Sequence, residues 1–181
     1  MDCPELKNLM RTYLGDVVDS EELKHLFVVD PYCPHLHMCI MLTGKYPNLN
    51  DYLKEYLETY GNVDQVDYNG WSALHIASLN SGKFSSERTV EILINANANV
   101  NLQDNYGWTA LHDALCSTIT STERTVEILI LADADVFNIK DKNNKTPYDR
   151  LPQELIERFG IDEATQTICI KTGKLTKCAK K

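Results

Sequence analysis

Two stretches of the 181-residue sequence place chemically capable residues at suggestive spacings. In CPHLHMC, Cys33, His35, His37 and Cys39 alternate. On a β-strand all four would share one face, and two thiolates with two imidazoles make a zinc donor set. Zinc loops, however, usually hold their ligand pairs about a dozen residues apart so that the chain can wrap the ion. No metal or other cofactor is expected. His75 and His112 are the second case, each three residues after a hydroxyl, Ser72 and Thr109. A hydroxyl beside an imidazole suggests nucleophilic catalysis, but neither copy comes with a Ser–His–Asp pattern or a glycine-rich nucleophile turn. A non-catalytic chain is expected.

The surroundings of these histidines account for them. GWSALHIAS from Gly70 returns as GWTALHDAL from Gly107, 37 positions later, and another 37 leads to the decayed copy NKTPYD from Asn144. SSERTVEILI from Ser85 returns as STERTVEILI from Ser121, and NANANVNLQD (residues 95–104) returns as LADADVFNIKD (residues 131–141). Upstream, LHMCIMLTGKY from Leu36 matches LHIASLNSGKF from Leu74, which aligns His37 with His75 and Cys39 with Ala77. A fixed period of this size is the signature of stacked units. It divides the chain into units 30–66, 67–103 and 104–140, with a partial fourth over 141–160.

Each unit spells the same local structure. Val90, Leu93 and Ile94 in TVEILI make one apolar helical face, with Ile92 on a second. Ser85 and Ser121 suit helix N-caps, and Glu87 and Glu123 place negative charge in the first turn, where the helix dipole favours it. In SALHIASL, Leu74, Ala77 and Leu79 can face inward on a shorter first helix. Asn, Asp and Gly residues then suit tight turns. The unit reads as helix, turn, helix, extended finger.

These residues resemble the ankyrin repeat. Ser72-Ala73-Leu74-His75 and Thr109-Ala110-Leu111-His112 match its Thr-Pro-Leu-His start, Thr146-Pro147 supplies a literal Thr-Pro, and Ala98-Asn99-Val100-Asn101 and Ala134-Asp135-Val136 match its end. Extra residues fall between the two helices, at 81–86 and 117–122, a phrasing similar to ankyrin proteins of large DNA viruses and some protists. The resemblance implies an all-α solenoid of helix-turn-helix units with β-hairpin-like fingers and helical caps. It also implies structural roles for Ser72, His75, Thr109 and His112, which would lock finger to helix, and for the finger glycines Gly70 and Gly107. One departure is visible. Asn97 and Asp133 stand where the family usually has the glycine that ends the second helix, so left-handed backbone and some strain at Asp133 are expected.

Such arrays bind proteins on the concave face of fingers and first helices. The positions expected there are Tyr68, Asn69, Trp71, Asn105, Tyr106 and Trp108 on the fingers, Leu79, Asn80 and Cys116 at helix ends, and Lys142, Asn143 and Lys145 as a basic end to the row. Trp71 and Trp108 have two readings, as binding anchors or as rings that cover the next finger and stiffen the array.

The ends need covering elements because a terminal unit exposes an apolar flank. Residues 1–29 carry two short helical patterns and read as the N-terminal cap. LPQELIERF (residues 151–159) reads as a last helix opened by Pro152. Its Leu-Pro-x-Glu-Leu start also resembles the opening of an F-box, which would make the chain a substrate adaptor for a ubiquitin ligase. Residues 161–181, with Lys171, Lys174, Lys177, Lys180 and Lys181, read as a lysine-rich tail, in which TICIKTGKL (residues 167–175) alternates weakly around Thr172-Gly173 as either a small hairpin or a disordered stretch.

A formal charge of −8 argues against a nucleic-acid binder. No apolar run reaches the roughly 18 residues of a membrane span, and the first ten residues lack a secretory pattern. Six cysteines without CxxC pairs read as reduced thiols. A monomer in the cytoplasm is expected, the host-cell cytoplasm if the chain is viral.

Overall fold

A computed structural model describes residues 11–15, 35–116, 121–172 and 175–180, with residues from 170 onward described by backbone alone. Three helix pairs follow the period: α1 (His35–Ile40) with α2 (Leu49–Tyr60), α3 (Ala73–Asn80) with α4 (Glu87–Asn95), and α5 (Ala110–Cys116) with α6 (Glu123–Leu131). The first helices stack as α1·α3·α5 and the second as α2·α4·α6, giving two helical layers that run the length of the array. A 3-10 turn at Tyr148–Arg150 continues the first layer against α5. The result is an all-α repeat solenoid.

Stacking explains the sequence pattern. Leu74, Ala77, Leu111 and Ala114 are buried between successive first helices, and Val90, Leu93, Val126 and Leu129 between successive second ones. Each such leucine stabilises the fold by about 1.5–3 kcal/mol, and only because a neighbouring unit covers it. Ile92 is also buried, whereas Ile94, expected on the inner face, is only partly covered. Leu79, too, faces outward from the core.

Two expectations about helix starts change. The caps are Ser86 and Thr122, whose hydroxyls accept the Thr89 and Thr125 N–H groups at 3.2 Å. Ser85 and Ser121 lie one residue too early to reach those donors. They join a row of hydroxyls between units instead. Thr89 Oγ1 lies 2.8 Å from Asn50 Oδ1 and 2.9 Å from Thr43 Oγ1, which bonds Ser85; one unit on, Thr125 Oγ1 lies 2.7 Å from Ser81 Oγ, which approaches Ser121. The extra inter-helix residues therefore add lateral polar contacts, and Gly44 N–H donates to Phe84 C=O in the next unit at 3.1 Å.

Asn97 and Asp133 adopt φ of 63° and 67°, the left-handed region expected where glycine is missing. The finger glycines meet a second constraint. Gly70 and Gly107 both have φ of 80°, and a Cβ on Gly70 would lie 2.8 Å from Asn105 N, while one on Gly107 would lie 3.1 Å from Asp141 Cα. The next finger occupies the space. Asn144 holds the same place in the last finger at φ of 61°, where no further finger follows.

At the N-terminal end only residues 11–15 of the expected cap are described; the second cap helix, near 20–27, lies outside the described residues. Residues 11–14 are helical, Tyr13 and Leu14 pack on the core, and Tyr13 bonds Glu55. At the other end, α7 (Gln153–Phe159) packs on a three-stranded antiparallel sheet of β1 (Ile161–Asp162), β2 (Thr167–Thr172) and β3 (Leu175–Lys180). The antiparallel pair β2 and β3 follows the hairpin alternative for 167–175, and β1 joins it to α7 where a plain tail was expected. Ile161 and Ile168 supply the apolar positions that bring it onto the core. Lys174 and Lys181 lie outside the described residues.

Gly70→Ala and Gly107→Ala are each expected to destabilise the array by more than about 1 kcal/mol, read as a lower urea midpoint. Asn144→Gly should leave the midpoint unchanged or raise it.

Candidate functional site

Each finger is built on one aspartate. Asp67 Oδ1 accepts the N–H groups of Asn69 and Trp71, Asp104 Oδ1 those of Tyr106 and Trp108, and Asp141 Oδ1 those of Asn143 and Lys145, all at 2.8–2.9 Å. These residues recur every 37 positions, so the signal was present in the sequence, although the glycine and tryptophan beside them carried the reading there. Backbone bonds then tie finger to finger: Asn105 N–H donates to Asn69 C=O and Lys142 N–H to Tyr106 C=O. The Asn105 side chain is also committed, donating to Tyr68 C=O at 3.0 Å.

The histidines lock these fingers to the helices. Ser72 N–H and hydroxyl both converge on His75 Nδ1, at 3.1 and 2.8 Å, and Thr109 does the same for His112. An Nδ1 that accepts leaves Nε2 as the donor. His75 Nε2 bonds Trp108 C=O and His112 Nε2 bonds Lys145 C=O, each in the following unit. The ring therefore joins two units and must be neutral to do so, since a protonated ring has no acceptor. Burial pushes both imidazoles below their ordinary pKa, against the opposing pull of those carbonyls. His37 makes the same reach, from Nε2 to Gln65 C=O. Its Nδ1 is buried without a partner, and the sequence has a proline, not Ser or Thr, three residues earlier.

Between the fingers and the first helices lies a cleft of about 380 Å³ lined by Trp71, Leu79, Asp104, Tyr106, Trp108, Asp113, Lys142 and Asn143. Both tryptophans line it while also holding neighbours. Trp71 Nε1 donates to Asp104 Oδ2 at 2.9 Å, and Trp108 stacks on His112 and under the Arg150 guanidinium, 4.6 Å from its centroid. These contacts are those of the stiffening reading, and the same two rings line the cleft. Tyr68 stands out at 69% exposure beside the cleft on the finger row, with Asn69 and Asn105 between the tips. Three expected positions stand elsewhere. Asn80 turns back to Ile76 C=O, Cys116 is exposed at the end of α5, and Lys145 pairs with Asp149.

Asp113 is the residue the sequence reading missed. It occupies the repeat position of Met38 and Ile76, an apolar place in the earlier units, and is 2% exposed with Oδ2 lacking any hydrogen bond. Burial pushes its carboxyl well above the ordinary value, and Asp104 adds to this while Arg150 opposes it. Arg150 is held elsewhere, donating from Nη2 to Asp141 Oδ2 at 2.6 Å. Burial raises the Asp141 carboxyl, but the Lys145 and Asn143 N–H groups and Arg150 outweigh it and bring the group to about 2.

The alternating Cys/His stretch lies on a helix from His35, not a strand, so the described residues divide. Cys39 Sγ and Tyr52 hydroxyl approach His35 Nε2 at 3.2 and 2.7 Å, while His37 turns to Gln65. Burial pushes the Cys39 thiol up, which keeps it protonated and unreactive. Cys33 lies outside the described residues, and among those described no three His, Cys, Asp or Glu residues converge on a metal site. No described helix is long and apolar enough to cross a membrane.

Replacing Asp113 by Ile, the residue of the preceding unit, is expected to stabilise the fold by about 1–3 kcal/mol, the cost of an unsatisfied buried polar group; thermal or urea unfolding reads it. The pH dependence carries two opposing contributions. For His75 and His112 the folded pKa lies below 6.5, so the unfolded chain binds protons first and stability falls as pH drops below about 6.5. For Asp113 the folded pKa lies above 3.8, so the native state binds the proton first and acid favours folding. Asp113→Ile should therefore show a steeper acid loss between pH 7.5 and 5 than the unchanged chain.

A sequence model of ankyrin repeats, three copies long, matches residues 36–143. No curated protein matches the chain. The matched span covers all three helix pairs and their fingers, and the geometry repeats from unit to unit in its aspartate turns and bridging histidines. This chain belongs to the ankyrin-repeat family, whose arrays are protein–protein interaction modules.

Proposed function

We propose that the chain binds one partner protein on the surface formed by its finger tips and first helices, as a monomer and without catalysing a reaction. The observation that carries this reading is the cleft itself. It gathers two indoles, a phenol and Leu79 in an open groove, and aromatic rings held rigidly at low conformational cost are frequent binding anchors. Tyr68 and Tyr106 stand at 69% and 58% exposure at the edge of the same surface, where selectivity would be set. Lys142 adds a cation to the rim.

A cytoplasmic setting is proposed from the cysteine pattern, and the host-cell cytoplasm would follow for a viral chain. The ligase-adaptor reading has less support. Leu151, Leu155 and Phe159 are buried, so the apolar face of α7 is committed to closing the array against β1 and β2.

Trp71→Ala/Trp108→Ala is expected to reduce recovery of partner proteins from native-cell extract at least tenfold while the circular dichroism spectrum stays helical. Equal recovery by both forms would remove the concave surface as the binding site.

A further inference from the structure

Asp113 is costly where it stands. Its position holds Met38 and Ile76 in the preceding units, and a buried carboxyl oxygen without a hydrogen bond destabilises the free protein. Arg150, the residue at the same position of the next unit, is the nearest candidate for compensation. Its Nη2 is taken by Asp141, its plane lies on Trp108, and its Nε is itself buried without a partner. The two groups sit near each other and do not bond.

The cleft around Asp113 has the composition of a cation site. Its walls are Trp71, Trp108 and Tyr106, whose ring faces attract positive charge. Its charged lining is Asp104 and Asp113 against the single Lys142, and the Arg150 guanidinium behind Trp108 is ion-paired with Asp141. Lys142 Nζ already lies 6.0 Å from the Tyr106 centroid, so an ammonium at an aromatic face is a contact this cleft makes with its own chain. Among the lining residues, the unmatched acceptor is one buried carboxyl oxygen, Asp113 Oδ2. A single acceptor suits the point charge of an ammonium better than the two-pronged fork of a guanidinium.

We propose that the cleft between Trp71, Tyr106 and Trp108 receives an exposed lysine side chain of the partner protein, whose ammonium bonds the carboxylate of Asp113. This rests on the concave-face reading above and names the chemistry recognised there. The lysine stem lies along Trp71, Tyr106 and the cleft-facing edge of Trp108, and the ammonium supplies the hydrogen bond that Asp113 lacks.

The chain's only two tryptophans both line this cleft, so intrinsic fluorescence reports on it directly. The full chain is titrated with the capped peptide Gly-Lys-Gly and with its norleucine, glutamine and arginine counterparts. Wild type, Asp113→Asn and Asp113→Ile are compared, the last expected to fold at least as stably as wild type. A saturable emission change with the lysine peptide is expected, weakened at least tenfold with norleucine or glutamine and in both variants. The proposal is overturned by an equal response to norleucine, by tighter binding of arginine, by an unchanged response in Asp113→Ile, or by no saturable response at all. The last result would leave Asp113 and Arg150 as a water-bridged structural pair. Partner recovery with Trp71→Ala/Trp108→Ala separates the two ideas. Tryptophan-dependent recovery without a lysine response sinks only the lysine site, whereas lysine binding with tryptophan-independent recovery sinks only the wider surface.

Discussion

A neutral imidazole spanning two units is the interaction on which this array depends. His75 and His112 each accept from their own unit at Nδ1 and donate to the next unit at Nε2, so one side chain sets both the finger-to-helix angle and the spacing between units. The ring does this only in one tautomer and one charge state, and burial maintains both. The apparent hydroxyl–imidazole pairs of the sequence are thus consumed by architecture. In both rings Nδ1 and Nε2 are engaged within the array.

Around that bridge, polar groups first shape each unit and then join it to the next. The aspartate turns fix each finger, the fingers bond backbone to backbone, and the hydroxyls of Thr43, Ser81, Thr89 and Thr125 form a second line between the lengthened inter-helix turns. Such rows allow a small solenoid to exclude water from its seams without leaving donors unpaired. They also explain why glycine is required at Gly70 and Gly107. A left-handed angle alone would tolerate asparagine, as Asn144 shows, but the next finger leaves no room for a Cβ.

Where this regularity breaks, the structure gives up stability. Asp113 places a carboxyl at an apolar repeat position, and His37 Nδ1 lacks the partner that its counterparts in His75 and His112 have. The two breaks differ in setting. The loss at His37 lies at the first helix pair, inside the stack, whereas Asp113 faces the cleft with the two indoles. Asp113 is thus a destabilising group that also lines a cleft, the combination on which the lysine proposal rests.

Much of this protein was legible in the order of its residues. The 37-residue recurrence of Gly-Trp and Leu-His, with the paired TVEILI helices, determined the unit, its two helices and its finger, because identical local sequences bury identical faces when stacked. The left-handed turns at Asn97 and Asp133 were legible for the same local reason. Only the tertiary structure decided which hydroxyl capped each helix, that Leu79 and Asp113 share a cleft with residues from neighbouring fingers, and that β1 joins β2 and β3 in a sheet against α7. Those outcomes depend on groups that meet across units or across the closing helix. Sequence spacing records what one unit repeats, and it carries no measure of the distance between side chains from different units.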